Sequence, residues 1–166
     1  MDIVVYPDPI LKEEAEPVLD IDQDIQDLIT VMGELMYSAS GIGLAANQVG
    51  IAKRIFVYDL DYREKGRHLK VMINPSIVLA EDRIDFEEGC LSVPDFLAKT
   101  ARSKYVKAEG LDSNGNPLDI EAEGLLAVCI QHEIDHLNGT LILDHASRLK
   151  RNLYKKRIAK LKKKDR

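Results

Sequence analysis

Apolar residues recur at helical spacing near the start of the chain and predict a helix at about residues 22–38. Asp20 or Asp22 is the expected cap at its start. The segment SASGIGLAANQVG follows, and its glycines indicate a break in the helix and a close approach of the backbone to another group. The apolar positions of the helix are Ile25, Leu28, Ile29, Met32, Leu35 and Met36.

The middle of the chain has the pattern of a β-sheet. Several short runs are rich in β-branched and aromatic residues, which favour strands. The segment DSNGNP at 112–117 has the composition of a turn between two of them. The predicted strands are 54–60, 69–80, 82–89, 104–112 and 117–124.

Two helices are predicted in the last third of the chain. Residues 125–137, LLAVCIQHEIDHL, contain neither proline nor glycine and are followed by Asn138-Gly139, a typical helix end. The last 20 or so residues form a further helix with a rough apolar seam. Strands in the middle and helices towards the ends predict an α+β fold, with mostly antiparallel strands around the central helix and a C-terminal helix.

Composition predicts one globular domain, because the chain has 166 residues, of which 45% are hydrophobic and 31% charged. No apolar run is long enough to cross a membrane, and the N-terminus does not resemble a signal peptide. We therefore expect a cytoplasmic protein with no membrane partner. In such a protein the two cysteines are expected to be free thiols or metal ligands rather than a disulfide.

Charge divides the chain into an acidic body and a basic tail. Residues 148–166 carry 11 Lys/Arg and one acid, whereas residues 1–147 carry 12 Lys/Arg and 27 acids. We interpret 1–147 as the functional body and 148–166 as a basic helical extension of the same domain. Such tails bind nucleic acid phosphates in some proteins, although composition alone favours a solvated helix.

The segment HEIDH, from His132 to His136, carries the strongest chemical signal. Residues four apart lie on one face of a helix, so His132 and His136 can bind one metal ion. Glu133 lies beside that face, where it can take a proton from a water on the metal. The apolar residues that precede the segment place these polar groups near the core, where they need partners.

The third metal ligand is less evident. In one large class of metalloproteases the motif continues to a further histidine, but here Ile142 occupies that position and His145 comes three residues later. No glutamate follows Gly139. Upstream candidates are His68, in a charged segment typical of a loop, and Cys90, which is favoured because a thiolate and two imidazoles leave a fourth position open for water.

Three segments together resemble the signature motifs of the peptide deformylase family. Residues 41–48, GIGLAANQ, resemble the first motif, residues 88–92, EGCLS, the second, and residues 131–136, QHEIDH, the third. Their order and spacing also fit, and the loop YPDPIL near the N-terminus resembles that of the family. The resemblance therefore covers nearly the whole chain and is closest to the compact bacterial type.

This resemblance implies hydrolysis of the N-formyl group from the formylmethionine of nascent polypeptides, with release of formate. It implies one divalent metal ion, Fe²⁺ in the cell, which Zn²⁺, Ni²⁺ or Co²⁺ can replace; coordination rules alone favour zinc. The implied metal ligands are Cys90, His132 and His136. The implied catalytic groups are Glu133, Gln48 and the Leu91 N–H. The implied substrate-binding residues are Ile42, Gly43 and Gly89.

Further expectations concern the surroundings of the site. Leu125 and Cys129 share a helix face with His132 and are expected to line the methionine pocket with Ile42, although spacing alone fits plain core residues equally well. Glu88 and Arg102 are expected to form a bidentate pair behind the site. The family's bacterial type leads us to expect an arginine soon after Pro94, where this chain has Asp95-Phe96-Leu97.

The remaining hypotheses concern the partner of the basic tail and two alternative functions of the protein. The resemblance implies that the tail docks on the ribosome, where its cationic side chains would contact rRNA phosphates. One rival is an HExxH zinc peptidase, which would need a downstream His or Glu ligand. The other is a non-catalytic, metal-stabilised ribosome-associated module, for which the base Glu133 would be unnecessary.

Overall fold

The strands of the computed structural model, which describes residues 1–164, form one sheet in the order of the sequence. Every neighbouring pair is antiparallel. The predicted α+β fold with mostly antiparallel strands is therefore confirmed. The strands are β1 (Gly43–Ala45), β2 (Ile55–Tyr58), β3 (Lys70–Cys90), β4 (Val93–Leu111) and β5 (Pro117–Glu123).

Helices occupy the ends of the chain and two short connections, together with 3-10 turns at Pro9–Lys12 and Ala46–Val49. Residues 165–166 of the predicted tail helix lie outside the described residues. Among residues 1–164, no helix has both the length and the apolar character that a bilayer span requires. The helices are α1 (Gln23–Ser38), α2 (Tyr62–Lys65), α3 (Gly124–Leu137), α4 (Ile142–His145) and α5 (Arg148–Lys164).

Helix α1 begins where its capping residue predicts. The side chain of Asp22, rather than that of Asp20, accepts a hydrogen bond from the Ile25 N–H at 3.0 Å. Its apolar face, with Met32 and Met36 fully buried, packs in a cluster that includes Ile55 of β2. This packing holds the segment that follows α1, residues 39–49, against the sheet.

The long hairpin of β3 and β4 differs from the prediction. Residues 69–80 and 82–89 were expected to form separate strands, but one strand passes through Asp82 in a left-handed conformation, with φ of 56°. Strand β4 begins at Val93, not near residue 104. The sequence does not predict the first half of β4, because two of its inward-facing residues, Thr100 and Arg102, are polar. They interrupt the alternation of apolar and polar residues that indicates a strand.

Helix α3 lies against the sheet, as the prediction of a central helix requires. Ile130 and Leu137 of α3 are fully buried and share a cluster with Phe56, Met72 and Val106 from three different strands. Burial on this scale fixes the helix in position. The polar residues near its C-terminal end are thereby placed beside the ends of β1 and β3.

The turn that ends α3 depends on Gly139. Its φ is +71°, and a Cβ at this position would lie 2.4 Å from the carbonyl oxygen of Lys12. We expect Gly139→Ala to lower the free energy of unfolding by about 2–4 kcal/mol, because backbone strain and a backbone clash add. Chemical denaturation followed by circular dichroism measures this change.

Gly50→Ala is the matched control for that measurement. Gly50 also lies in the left-handed region, with φ of +83° and ψ of 16°, and its added Cβ would meet Cγ2 of Val4 at an ordinary contact distance of 3.9 Å. It should therefore lose only the conformational part of the free energy of unfolding, about 1–2 kcal/mol. Equal losses in the two variants would show that the contact between Gly139 and Lys12 has no role in stability.

Candidate active site

The two histidines of the HEIDH segment face each other on α3. Their Nε2 atoms are 3.1 Å apart, as expected for residues one helical turn apart on one face. The helix forms here because residues 125–131 are mostly apolar and uninterrupted, and its first half anchors in the core. Burial holds the pKa of His136 well below its ordinary value, so this imidazole is neutral and has a lone pair for a metal.

Cys90, at the end of β3, completes a cluster of three side chains that could bind a metal ion. Its Sγ lies 3.2 Å from Nε2 of His136, and the ligand atoms of Cys90, His132 and His136 all lie within 4.8 Å of one another. Around a tetrahedral ion bound by nitrogen at about 2.05 Å and sulfur at about 2.3 Å, ligand atoms lie about 3.3–3.6 Å apart. The three residues therefore fit a divalent metal ion.

The alternative ligands lie elsewhere or have the wrong protonation state. His68 is exposed, and its Nδ1 contacts the carbonyl oxygen of Gly66 at 3.0 Å. Burial raises the pKa of the Cys129 thiol well above its ordinary value, which favours the neutral thiol over a thiolate ligand. Both cysteines are free, as the sequence predicts. Of the described residues, only Cys90, His132 and His136 form a metal-ligand cluster of this kind.

Glu133 lies beside this cluster and is only 3% exposed. Burial raises the pKa of its carboxyl group to about 7, so the group can exchange a proton near neutral pH. Within residues 1–164, its Oε2 atom is buried with no hydrogen-bond partner. A buried carboxylate oxygen without a protein partner is costly, so this atom is able to accept a hydrogen bond from a water or a substrate in the site.

The close approach of β1 to α3 sets the position of Glu133. A Cβ at Gly43 would lie 2.4 Å from Oε1 of Glu133 and 3.0 Å from Sγ of Cys129. Any larger residue at this position would therefore displace the carboxylate. The glycine of the GIGLAANQ segment thus has a steric role, in keeping with the close backbone approach that the sequence predicts.

A buried pair of charges lies behind His132. Glu88 accepts two hydrogen bonds from Arg102, from Nε and Nη2, each at 3.0 Å, which is the expected bidentate pair. Oε1 of Glu88 also contacts Nδ1 of His132 at 3.1 Å. Because a carboxylate accepts, Nδ1 carries a proton, and Nε2 is the nitrogen that faces Cys90 and His136. Burial alone would lower the pKa of His132, but hydrogen bonds with Cys90 and Glu88 raise it well above its ordinary value, so metal binding at Nε2 displaces a proton.

The same arginine also connects Glu88 to a carboxylate on α3. Nη1 of Arg102 pairs with Asp135 at 2.6 Å, and Asp135 contacts His145 of α4 at 2.8 Å. Burial alone would raise the pKa of Glu88, but hydrogen bonds from His132 and Arg102 lower it to about 2. Glu88 is therefore ionised at neutral pH and holds the imidazole of His132 in one orientation.

The side-chain amide of Gln48 points towards the metal ligands. Its oxygen accepts from the Ala45 N–H at 2.9 Å, and its nitrogen donates to Oγ of Ser92 at 3.1 Å, with Sγ of Cys90 at 3.6 Å. Leu91 lies in the turn directly after Cys90 and borders the same cavity. Both groups predicted to stabilise an oxyanion therefore lie next to the ligand cluster.

A cavity of about 750 Å³ opens beside these groups. It is lined by all five residues predicted to bind substrate, which are Ile42, Gly43, Gly89, Leu125 and Cys129. Val128 and Phe86, which the sequence motifs did not indicate, also line it. Their spacing was the available signal, because Val128 lies one helical turn before His132 and Phe86 two residues before Glu88 on the same strand face.

The bidentate pair gives a prediction for metal affinity. Arg102→Ala should weaken zinc binding about 10- to 100-fold, because Glu88 loses its partner and no longer fixes the ring of His132. Chelator competition at equilibrium measures the dissociation constant. Arg83→Ala, which removes an exposed arginine paired with Asp85, is the control and should leave it unchanged. Equal zinc affinity in the Arg102 variant and the parent would show that the Glu88–Arg102 pair does not hold His132 for metal binding.

Comparisons with known proteins agree with this arrangement. The family model described as polypeptide deformylase matches residues 1–152. Peptide deformylases of Desulfosudis oleivorans and Thermodesulfovibrio yellowstonii are 48% and 50% identical, over 96% and 95% of this chain and 93% and 96% of theirs.

Solved structures show the same likeness. A peptide deformylase from Legionella pneumophila is 42% identical with a TM-score of 0.91, and covers 99% of this chain and 96% of its own. One from Synechococcus elongatus, in complex with actinonin, is 41% identical with a TM-score of 0.89, over 95% and 87%. On the family match and these identities, the chain belongs to the polypeptide deformylase family.

Proposed function

We propose that this protein hydrolyses the N-formyl group from the N-terminal formylmethionine of nascent polypeptides and releases formate. The proposal rests on one observation: a Cys-His-His cluster lies at the same cavity as a buried carboxylate oxygen of Glu133 that has no partner within residues 1–164. Membership of the polypeptide deformylase family supports the same reaction.

We propose that Cys90, His132 and His136 hold one divalent metal ion. The spacing of their ligand atoms supports this set. The family resemblance favours Fe²⁺ in the cell, with Zn²⁺, Ni²⁺ or Co²⁺ as substitutes. When bound, such an ion would act as a Lewis acid, which lowers the pKa of a bound water and polarises the carbonyl group of a substrate.

Glu133 is the proposed general base and acid. A carboxyl group whose pKa is about 7 can take a proton from the attacking water and then deliver it to the departing amine. The two carboxylate oxygens of Glu133 suit this task. Oε1 lies against the backbone of Gly43, which limits its movement, and Oε2 has no protein partner among residues 1–164 and can bond to a reactant. Proton transfer of this kind contributes about 10²–10⁴-fold to the rate of many enzymes.

The charge that develops on the formyl oxygen needs hydrogen-bond donors. We propose that the Gln48 side-chain amide and the Leu91 N–H supply them. The amide is preorganised, because its oxygen is fixed by the Ala45 N–H and its nitrogen is directed to the side of Cys90 and Ser92. Donors fixed in advance lower the barrier because they do not reorganise during the reaction.

The peptide chain of the substrate is proposed to lie along β1. Within the described part of the chain, this strand is at the edge of the sheet and pairs only with β2, and Ile42 and Gly43 border the cavity. An extended peptide can add to such an edge through main-chain hydrogen bonds, which do not depend on side chains. We propose that Gly89, Leu125 and Cys129 enclose the methionine side chain with Ile42, since all four line the cavity.

The rival functions fit the structure less well. Ile142, at the position where the protease motif needs a metal ligand, is 2% exposed and packs in an apolar cluster. A non-catalytic module would have no use for a buried carboxylate without a protein partner. These observations favour the hydrolase.

Formate release from a short formyl-Met peptide tests the reaction. Protein purified anaerobically with iron should release formate, and Glu133→Gln should lower kcat about 10²–10⁴-fold while metal content stays unchanged, because the neutral amide keeps the shape but cannot accept the proton. Formate is measured by a coupled dehydrogenase assay and metal by elemental analysis. A parent protein with a full complement of metal and no formate release would refute the proposal.

We propose that residues 1–147 carry the reaction and that the basic extension from residue 148 contacts rRNA on the ribosome. The Lys and Arg side chains of α5 are exposed, apart from the half-buried Arg151. Cationic groups on an exposed helix bind phosphates in a salt-dependent manner.

Ribosome binding is tested at the far end of α5. Replacing Lys160, Lys162, Lys163 and Lys164 by glutamine should reduce co-sedimentation with ribosomes at low salt and flatten its salt dependence, because fewer counterions are released. Replacing four exposed lysines and arginines of the body, Lys65, Arg83, Lys99 and Lys104, changes the net charge equally and serves as the control. Equal binding by both variants would contradict a specific role for α5.

A further inference from the structure

Residues Pro94 to Leu97, the rim segment, form one wall of the mouth of the cavity. Asp95, Phe96 and Leu97 all line it. The side chain of Leu97 is 53% exposed, and its Cδ2 would lie 3.3 Å from a Cβ at Gly89. The rim segment therefore presents an apolar side chain beside a residue proposed to bind substrate.

The other side of the rim segment is held by α5. The hydroxyl of Tyr154 donates to the Pro94 carbonyl oxygen at 2.9 Å, and Arg157 pairs with Asp95 at 2.9 Å. Lys150 donates to the carbonyl oxygen of Leu97. Polar side chains of α5 thus contact three of the four residues of the rim segment, Pro94, Asp95 and Leu97.

An aromatic contact adds to these hydrogen bonds. The ring of Tyr154 packs edge-on against Phe96, with centroids 5.0 Å apart, and the Lys150 ammonium lies 5.1 Å from the centroid of the Phe96 ring. Tyr154 is 4% exposed, although it belongs to an otherwise solvated helix. Phe96 is itself buried, so the contact joins α5 to the wall of the cavity.

The rim segment needs external support because of its conformation. Asp95 has a φ of 56°, a left-handed conformation that costs a non-glycine residue about 1–2 kcal/mol. Its side chain is exposed and has its ion pair with α5. The rim segment lies in β4 between the pairs Cys90–Val93 and Glu88–Ala98, where the register with β3 shifts. Contacts from α5 therefore add to the support that the irregular pairing with β3 provides.

We propose that α5 is a brace for the outer part of the substrate cavity, and that Lys150, Tyr154 and Arg157 are positioning residues for peptide residues that follow the formylmethionine. The inference rests on the proposed deformylase function. The cavity of about 750 Å³ is larger than one methionine side chain needs, and the rim with Leu97 borders the excess space. By holding Leu97 beside Gly89, the brace gives apolar peptide residues a preformed surface.

Two amidated substrates test the brace, formyl-Met-Ala and formyl-Met-Ala-Leu-Leu, because the longer one adds two apolar residues that the rim segment could contact. We expect Lys150→Met/Arg157→Gln to lower the ratio of kcat/KM for the longer over the shorter peptide about fivefold, through the KM of the longer peptide. Tyr154→Phe, which keeps the ring and the net charge, should lower the ratio about twofold, since it removes only one hydrogen bond.

Lys156→Met/Lys160→Gln is the matched control. Both lysines are exposed on α5 and take no part in the contacts described above, so this variant should keep the ratio of the parent. An unchanged ratio in Lys150→Met/Arg157→Gln, or an equal loss on both peptides, would overturn the brace. A metal-loaded parent that releases formate from neither peptide would instead overturn the deformylase function and the brace with it.

Discussion

The bidentate pair between Glu88 and Arg102 is the interaction on which the site depends. Both side chains are 4% exposed, so the loss of either charge would leave the other buried with one partner fewer, which is strongly destabilising. The pair joins β3 to β4, and through His132 and Asp135 it also joins both strands to α3. The position of the hairpin end, which carries Cys90, and the orientation of the imidazole of His132 are therefore set by one network of charges.

Much of this arrangement could be predicted because its chemistry is local. The spacing of His132 and His136 is enough to place two imidazoles on one face of α3, and the apolar run before them is enough to bury that face. Asp22 and Gly139 define helix boundaries by capping and turn geometry, which depend on neighbouring residues. In each of these cases the cause and the structure lie within a few residues of each other.

The remaining features depend on contacts between distant parts of the chain. The sequence pattern did not predict the first half of β4, because the polar residues Thr100 and Arg102 are buried there. Arg102 can be buried because Glu88, across the hairpin, pairs with it. Residue patterns favoured Cys90 over His68 but could not place its thiol beside the two imidazoles, since that depends on where the β3–β4 turn meets α3. His145 joins the network through Asp135, a contact that no local spacing indicates.

Helix α5 shows why charge composition is an incomplete guide to domain organisation. Its basic side chains suggest a solvated appendage, yet Tyr154 is buried against Phe96 and belongs to the same cluster as Leu141 and Ile142. The division at residue 148 is therefore one of charge, whereas packing is continuous across it. Because Arg157 is paired with Asp95, an anionic surface that binds this arginine must compete with the rim of the cavity for the same group. A partner that binds Arg157 would thus act on the site through that contact.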